Sequence, residues 1–206
     1  MAYNFFNSID RKDHSVLSEF KDEQIKHPNQ EIGLKISDPG FLNILNIRGN
    51  QKSNIFRMTI NNVFNIDLPL KTGLFTKTKD LTLLNIGPDE LLLISQIENK
   101  NENVKKFEDK MFKINASITD VSNNYQCLHL SGDKVRWILS KGCPIDLDEN
   151  VFIPNNCAQT IIGNSNIILF CNQKNSFSLI CSSSFANYIL LWLKDSSFEH
   201  GYEYKS

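Results

Sequence analysis

The chain has 206 residues, with 22 Lys and Arg against 23 Asp and Glu, which gives a formal net charge of -1. This length allows a sizeable core, in one large domain or in two closely packed lobes. The balanced charge provides no strong positive field, so it argues against a protein that binds nucleic acid or an anionic membrane surface.

The first 30 residues have no sustained hydrophobic period, and we predict an extended N-terminal arm over residues 1–30. They also lack the basic start and unbroken apolar run of a secretory signal, and no later stretch is long and apolar enough to span a bilayer. We therefore expect a cytoplasmic protein. Its five cysteines are odd in number and never form a CxxC pair, which favours reduced thiols over a disulfide framework or a zinc knuckle.

The first predicted lobe, about residues 31–121, mixes short strands with two helices. Alternating apolar residues predict a strand before the Pro39-Gly40 turn and another after it. A helix follows, with Ser53 as its cap. The segment from Asp67 to Thr78 is predicted as a loop, and the apolar runs around the Gly87-Pro88-Asp89-Glu90 turn predict a hairpin. A second helix is predicted from Glu102 to Lys113.

The second predicted lobe, about residues 122–206, begins where strands in "ASITDVS" and "QCLHLS" meet at Asn123-Asn124. A third helix is predicted from Gly132 to Lys141, with Ser131 as its cap and Gly142 as a left-handed residue that ends it. Three strands and a long closing helix complete the chain. Because strands recur as hairpins interrupted by helices, the pattern predicts an α+β fold of mainly antiparallel sheets, a single compact body over residues 31–206.

Several residue types suggest chemistry, but their settings favour structural roles. Cys143 follows the negative end of the third helix, which disfavours a thiolate, and no His in its segment provides a base. His129 shares a strand face with Cys127, yet two ligands are too few for a metal site. Carboxylates at predicted turns are expected to cap backbone donors rather than act as acids or bases; these are Asp89, Glu90, Asp120, Asp146 and Asp148. No phosphate loop or dinucleotide fingerprint occurs, and we assign no catalytic, cofactor-binding or metal residue.

Two predicted helices carry aromatic residues on faces that the core does not need. On the third helix, Val135, Ile138 and Leu139 form one apolar stripe, and Trp137 projects from nearly the opposite side. The closing helix is apolar almost all round. The interface candidates are therefore Trp137, Tyr188 and Trp192. The alternative, that both helices are enclosed within the subunit's own fold, remains open.

Four stretches stand out together: "IGPDELLLI" from Ile86, "TDVSNNYQCLHLSGDKVRWILSKGCPIDL" from Thr119, "CAQT" from Cys157 and "SFANYILLWL" from Ser184. In order and spacing, along roughly residues 30–201, they resemble the gamma subunit of heterotetrameric sarcosine oxidase. The more specific pair is Gly-Cys-Pro-x-Asp-Leu followed by Cys-Ala-Gln-Thr. The chain departs from the family pattern in two places. Leu91 stands where the family usually has an aromatic residue, and Asn155-Asn156 stand where a Gly is common.

The resemblance implies an accessory subunit of an enzyme that demethylates sarcosine to glycine, forming hydrogen peroxide and formaldehyde or methylene-tetrahydrofolate. Partner subunits alpha, beta and delta are expected to carry FAD, FMN, NAD and zinc, and this chain none of them. The implied fold is similar to the folate-binding region of aminomethyltransferases, but fold likeness alone does not imply folate binding. A stand-alone folate-dependent one-carbon transferase and a small-molecule binding module are the alternatives.

Overall fold

A computed structural model describes residues 15–95, 100–111 and 115–206. The strands of these residues, numbered in chain order, are β1 Glu23–Ile25, β2 Leu34–Ser37, β3 Asn43–Arg48, β4 Phe75–Lys77, β5 Leu81–Gly87, β6 Glu90–Ser95, β7 Ser117–Asp120, β8 Tyr125–Ser131, β9 Cys157–Ile162, β10 Ser165–Gln173, β11 Ser176–Ser182 and β12 Tyr202–Lys205. The α-helices are α1 Asn54–Phe64, α2 Lys100–Met111, α3 Val135–Ser140 and α4 Ala186–Ser197.

Two sheets pack face to face, and helices cover their outer faces. One sheet has the strand order β1-β12-β2-β8-β11-β10-β9 and the other the order β4-β5-β6-β3-β7. Every neighbouring pair is antiparallel except β12 and β2, which run parallel. The predicted α+β class with mainly antiparallel sheets is therefore confirmed.

Three groups of buried apolar side chains hold these layers together. One lies between the seven-stranded sheet and helices α3 and α4, and a second lies between the five-stranded sheet and helices α1 and α2. The third contains residues of both sheets, including Ile44 and Leu92 from one and Phe170 and Ile180 from the other. Both faces of strand β8 are buried, because Leu128 belongs to the first group and its neighbour Cys127 belongs to the third.

Local sequence signals explain several elements directly. The Ser53 side chain caps α1 by accepting a hydrogen bond from the Phe56 amide at 3.4 Å, as predicted. Strands β5 and β6 form the predicted hairpin, in which Gly87 pairs with Glu90. Helix α2 lies in the predicted region, although the predicted end at Lys113 falls outside the described residues. The predicted loop before Thr78 is partly wrong, because β4 forms there and pairs with β5.

The prediction for the start and end of the third helix is wrong. Ser131 still pairs with Ser176 in the sheet, so it cannot cap a helix, and α3 begins only at Val135 without a side-chain cap. Gly132 has φ +135°, and a Cβ there would lie 2.3 Å from the carbonyl oxygen of Gly33. At the other end Gly142 is not among the residues with positive φ. The Lys134 amide donates to the same Gly33 carbonyl at 3.1 Å, so the residues before α3 pack against the backbone that leads into β2.

Strands β7 and β8 were predicted to meet at a turn, but they belong to different sheets. β7 pairs with β3, whereas β8 lies between β2 and β11. Residues 122–124 form a single 3₁₀ turn between them. The chain therefore passes from the five-stranded sheet to the seven-stranded sheet at this point, close to the predicted lobe boundary at residue 121.

The N-terminal segment contacts the body along residues 15–30. Leu17 is fully buried in the core beneath the seven-stranded sheet, and β1 pairs with β12 at the edge of that sheet. Residues 1–14 of the predicted arm lie outside the described residues. The division into lobes stays a prediction, and β2, which falls in the first predicted lobe, lies in the seven-stranded sheet.

Candidate functional site

The two halves of the Gly-Cys-Pro and Cys-Ala-Gln-Thr pair meet in space. The Sγ atom of Cys143 lies 3.7 Å from the hydroxyl oxygen of Thr160, and the Gly163 amide donates to the Gly142 carbonyl at 3.0 Å. The Cys143 amide donates to the Leu139 carbonyl at 2.9 Å, which continues the turn that ends α3. The segment thus joins the end of α3 to strand β9, and Cys143 is buried within that joint.

Two glycines in this joint are required by close packing. A Cβ on Gly142 would lie 2.5 Å from Cζ2 of Trp192, and a Cβ on Gly163 would lie 2.4 Å from the hydroxyl of Tyr188. Gly163 also has φ +55°, a left-handed conformation that favours glycine. The Asn164 amide donates to the Tyr188 hydroxyl at 3.2 Å. Two of the interface candidates, Tyr188 and Trp192, therefore also hold the β9–β10 turn against α4.

Arg136 fixes the connection that follows α3, a role that sequence reasoning missed. Its guanidinium donates to the carbonyl oxygens of Lys174 at 2.8 Å, Leu147 at 2.6 Å and Phe152 at 3.1 Å. Its Cζ atom lies 4.9 Å from the centroid of the Phe177 ring. One side chain therefore satisfies backbone carbonyls from three separate points of the chain. The only available sequence signal was a cationic residue inside a largely apolar helix.

Cys157 and Gln159 connect the two sheets. The Cys157 thiol donates to the Leu74 carbonyl at 3.4 Å, and the Gln159 side-chain amide donates to the Ile86 carbonyl at 2.8 Å. The Cys157 amide also donates to the carbonyl of Gly73 at 2.8 Å. These acceptors belong to β5 and to the segment around β4, so the Cys-Ala-Gln-Thr stretch links the edge of one sheet to its neighbour.

The buried thiols are poorly suited to nucleophilic chemistry. All five cysteines are free and buried. Burial raises the pKa of Cys157 and of Cys181 to about 12, and burial also raises the pKa of Cys127. Burial likewise raises the pKa of Cys171, against the opposing effect of the nearby Arg136 guanidinium. Because the thiolate is the reactive form, these four thiols stay protonated and unreactive near neutral pH.

The carboxylates proposed as caps occupy capping or pairing positions. Asp146 accepts from the Asp148 amide at 2.9 Å, and Asp148 accepts from the Asn150 amide at 2.8 Å. Asp120 accepts from the Ser122 amide at 3.0 Å. Arg48, the last residue of β3, forms ion pairs with Asp89 at 3.4 Å and Glu90 at 3.0 Å in the β5–β6 hairpin. These contacts confirm the capping prediction for Asp120, Asp146 and Asp148 and give Asp89 and Glu90 ion pairs instead.

Aromatic and aliphatic side chains are exposed on α3 and α4. Trp137 is 46% exposed, although Val135, Ile138 and Leu139 of the same helix are fully buried, as the periodicity predicted. Its ring lies 4.6 Å from that of His200 and 4.0 Å from Nζ of Lys141. The exposed residues of α4 and the turn before it include Phe185, Tyr188 and Leu191, whereas Trp192 is half-buried. The interface assignment for these residues stays a prediction.

Neither a metal centre nor a membrane-crossing helix is found within the described ranges 15–95, 100–111 and 115–206. There, no group of three or more His, Cys, Asp or Glu side chains is placed to hold a metal ion. No helix of these ranges is both long and apolar enough to cross a bilayer.

Comparison with known proteins accounts for the motifs. Residues 48–199 match the sarcosine oxidase gamma subunit family. The chain belongs to this family. Two curated gamma subunits, from Corynebacterium sp. strains P-1 and U-96, are 30% identical over 139 residues and 27% identical over 117 residues. These alignments cover 66% and 57% of this chain. They cover 66% and 56% of the two relatives, so the chain spans less than two thirds of the length of each.

Two solved structures share the fold over most of the chain. A chain of heterotetrameric sarcosine oxidase from Corynebacterium sp. U-96 superposes with a TM-score of 0.77 at 22% identity, covering 86% of this chain and 88% of that one. Aminomethyltransferase T of the glycine cleavage system from Bartonella henselae superposes with a TM-score of 0.63 at 10% identity, covering 92% and 57%. The fold is therefore aminomethyltransferase-like.

Proposed function

We propose that the chain is a non-catalytic accessory subunit, the gamma subunit of a heterotetrameric sarcosine oxidase. The observation that carries this proposal is the family match over residues 48–199. The packing of the family motifs supports it, since Cys143, Cys157 and Gln159 join structural elements and four of the five thiols have raised pKa values. In this proposal the chain contributes a folded surface to the complex and leaves the redox chemistry to its partners.

The proposed complex demethylates sarcosine to glycine, with hydrogen peroxide and formaldehyde or methylene-tetrahydrofolate as the other products. The expected partners are alpha, beta and delta subunits that carry FAD, FMN, NAD and zinc, and the expected location is the cytoplasm. The relative from Corynebacterium sp. U-96 with the same fold is part of an enzyme described as a heterotetramer. Partner contacts are expected in part through Trp137, Tyr188 and Trp192, because two of these aromatic rings are exposed and the third is half-buried.

The likeness to aminomethyltransferase T gives one alternative its support, a stand-alone folate-dependent one-carbon transferase. A fold hosts many functions, so this likeness alone does not carry the activity. A small-molecule binding module is the third possibility. Tetrahydrofolate-dependent transfer by the isolated chain would favour the transferase, and saturable ligand binding without turnover would favour the binding module.

Purification of the tagged chain from its native cell tests the proposal. We expect three further subunits to be retained, to be identified by mass spectrometry, and to give the preparation a flavin absorbance spectrum and sarcosine oxidase activity. The chain purified alone should be colourless and inactive toward sarcosine. A flavin spectrum that stays with the isolated chain through gel filtration, or the absence of flavin-bearing partners from the native preparation, would contradict the proposal.

A further inference from the structure

A pocket with a volume of about 120 Å³ opens between the two sheets, away from the joint formed by Cys143 and Thr160. The turn between β4 and β5 forms one side of this pocket, and strands β8, β10 and β11 of the seven-stranded sheet form the other. Its lining includes the apolar side chains Leu42, Leu81, Ile94 and Phe170 and the polar or charged side chains Lys77, Lys79, Asp80, Thr82, His129 and Ser178.

The inner wall of this inter-sheet pocket has polar residues where the surrounding face is apolar. Phe170 lies opposite Ser178 in the β10–β11 register, and Ser178 lies opposite His129 in the β11–β8 register. On the same face Cys127 and Ile180 belong to the apolar group between the sheets. Ser178 is only 1% exposed. Burying a hydroxyl among apolar side chains is costly unless its hydrogen bonds are satisfied, so these polar residues need a specific arrangement.

That arrangement favours one position for the proton of the His129 imidazole. The Asn172 side-chain amide donates to Oγ of Ser178 at 2.9 Å. The single hydroxyl hydrogen of Ser178 is then available for Nδ1 of His129, which lies 2.7 Å away. A neutral imidazole that accepts at Nδ1 carries its proton on Nε2. His129 therefore supplies an N–H donor from the wall that it shares with Ser178.

The rim of the pocket is positively charged. It includes the exposed side chains of Lys77 and Lys79 and one carboxylate, Asp80. His129 is exposed at the mouth of the pocket, but desolvation on its packed side lowers the pKa of the imidazole. The charge of Lys77 also lowers this pKa, whereas the charge of Asp38 raises it. The lowered pKa favours the neutral imidazole, and this ring lines the same pocket as the Lys77 side chain. An ammonium and a neutral N–H group are donors that a carboxylate can use together.

We propose that this pocket binds a small monocarboxylate, whose charged end contacts Lys77 and Nε2 of His129 and whose apolar end contacts Phe170 and Leu42. An apolar cavity of roughly 150 Å³ is enough for benzene, so this one accommodates no more than about six non-hydrogen atoms. The apolar lining selects a carboxylate with a short hydrocarbon tail over a fully hydrated inorganic anion. This site is independent of the proposed subunit function, because it uses neither the motif pair nor the exposed rings of α3 and α4.

Titration of the full chain with butyrate, followed by the ring resonances of His129 in NMR spectra, tests this binding site. Butyrate should shift these resonances saturably, and butyramide, which has the same shape without the charge, should bind at least about tenfold more weakly. The ¹⁵N shifts of the free protein should show the proton on Nε2. Lys77→Gln should weaken butyrate binding by about tenfold, whereas Lys52→Gln, at an exposed lysine near the start of α1, should leave it unchanged.

Three results would overturn the assignment. The first is equal binding of butyrate and butyramide, or no shift with either compound. The second is an equal loss in the Lys77 and Lys52 variants, because the attraction would then belong to the whole surface. The third is a shift with inorganic phosphate as strong as that with butyrate, since an apolar end would then play no part. Circular dichroism spectra that match the unsubstituted chain establish that both variants are folded.

Discussion

At the residue scale, Arg136 shows how one side chain can fix the path of a long connection. Its carbonyl acceptors lie in different parts of the chain, and its Cζ atom lies over the Phe177 ring. The planar group with several N–H donors suits this task, which a lysine ammonium could fill only in part. The connection after α3 therefore depends on a residue that precedes the Gly-Cys-Pro-x-Asp-Leu motif.

Arg136→Ala should lower the free energy of unfolding by roughly 2–4 kcal/mol, because hydrogen bonds to a charged group are lost and backbone carbonyls lose their donors. Chemical denaturation of the isolated chain measures this loss. Arg48→Ala is the matched control. Arg48 is half-exposed and pairs with Asp89 and Glu90, so water screens the pairs and the loss should stay below about 1 kcal/mol. Equal losses in the two variants would contradict the structural role of Arg136.

At the element scale, the edge strand β1 is held by an ion pair inside a group of aromatic rings. Lys194 on α4 is buried, and its Nζ atom contacts a carboxylate oxygen of Glu23 at 2.6 Å. The same Nζ lies 4.8 Å from the centroid of Tyr204 and 5.5 Å from that of Phe20. The hydroxyl of Tyr202 donates to the other oxygen of Glu23 at 2.7 Å. The N-terminal strand is therefore fastened to both α4 and β12.

The attachment of β1 should weaken in acid. The hydrogen bonds from Lys194 and Tyr202 hold the pKa of Glu23 below its ordinary value of about 4.5. A group with a lowered pKa in the folded state stabilises that state above its unfolded pKa, and this stability is lost as the pH falls through the folded pKa. The protection factors of the β12 amides, which are corrected for the intrinsic pH dependence of hydrogen exchange, should therefore fall below about pH 4.5.

Glu23→Gln should lower the same protection factors already at pH 7, and these factors should change little further in acid. Glu19→Gln, at an exposed position in the same segment, serves as the control and should behave like the unsubstituted chain. If the Glu23 variant keeps the full acid response, another group is responsible for it.

The exposed ring of Trp137 gives a second prediction at this scale. Trp137→Ala should leave the melting temperature of the isolated chain nearly unchanged, because the ring is exposed and contacts Lys141 and His200 at the surface. Retention of the variant by flavin-bearing subunits should fall, because truncating a tryptophan at an interface can cost about 2 kcal/mol or more. Melting curves and pull-down yields measure the two effects.

Trp192→Ala is the contrasting variant, because that ring packs against Gly142 and Gly163. It should lower the melting temperature of the isolated chain. A sharp fall in melting temperature for Trp137→Ala, with normal retention of the molecules that remain folded, would show that the Trp137 ring is not at the interface.

At the scale of the whole molecule, three buried groups of side chains make the two sheets and four helices one packed unit. The polar links between the sheets run through Cys157 and Gln159, and the joint at Cys143 links α3 to β9. The five cysteine side chains are free and buried in this arrangement.

Cys143→Ser should therefore leave the sarcosine oxidase activity of the assembled complex within about threefold of the unsubstituted complex, a difference of about 0.65 kcal/mol in the barrier. The measurement is the turnover of complexes shown to be intact by gel filtration. A thousandfold loss in an intact complex would mean that the thiol takes part in the chemistry.

The sequence by itself determined most of the elements and the faces that they bury. The alternation in β8, the Ser53 cap of α1 and the stripe of Val135, Ile138 and Leu139 were all predictable, because each depends on residues a few positions apart. The motif pair also indicated the family. The first three signals are local, and the last is a pair of short sequence motifs.

Only the tertiary structure decided how distant segments combine. The separation of β7 and β8 into different sheets, the carbonyls that Arg136 reaches and the backbone of β2 beneath Gly132 all depend on pairings between residues far apart in the chain. The same holds for the pocket around His129 and Ser178, which exists because the β4–β5 turn packs over the other sheet. Hydrophobic periodicity specifies that a face is buried. It does not specify which element covers that face, because the free energy of burial depends on the apolar area removed from water and has no direction.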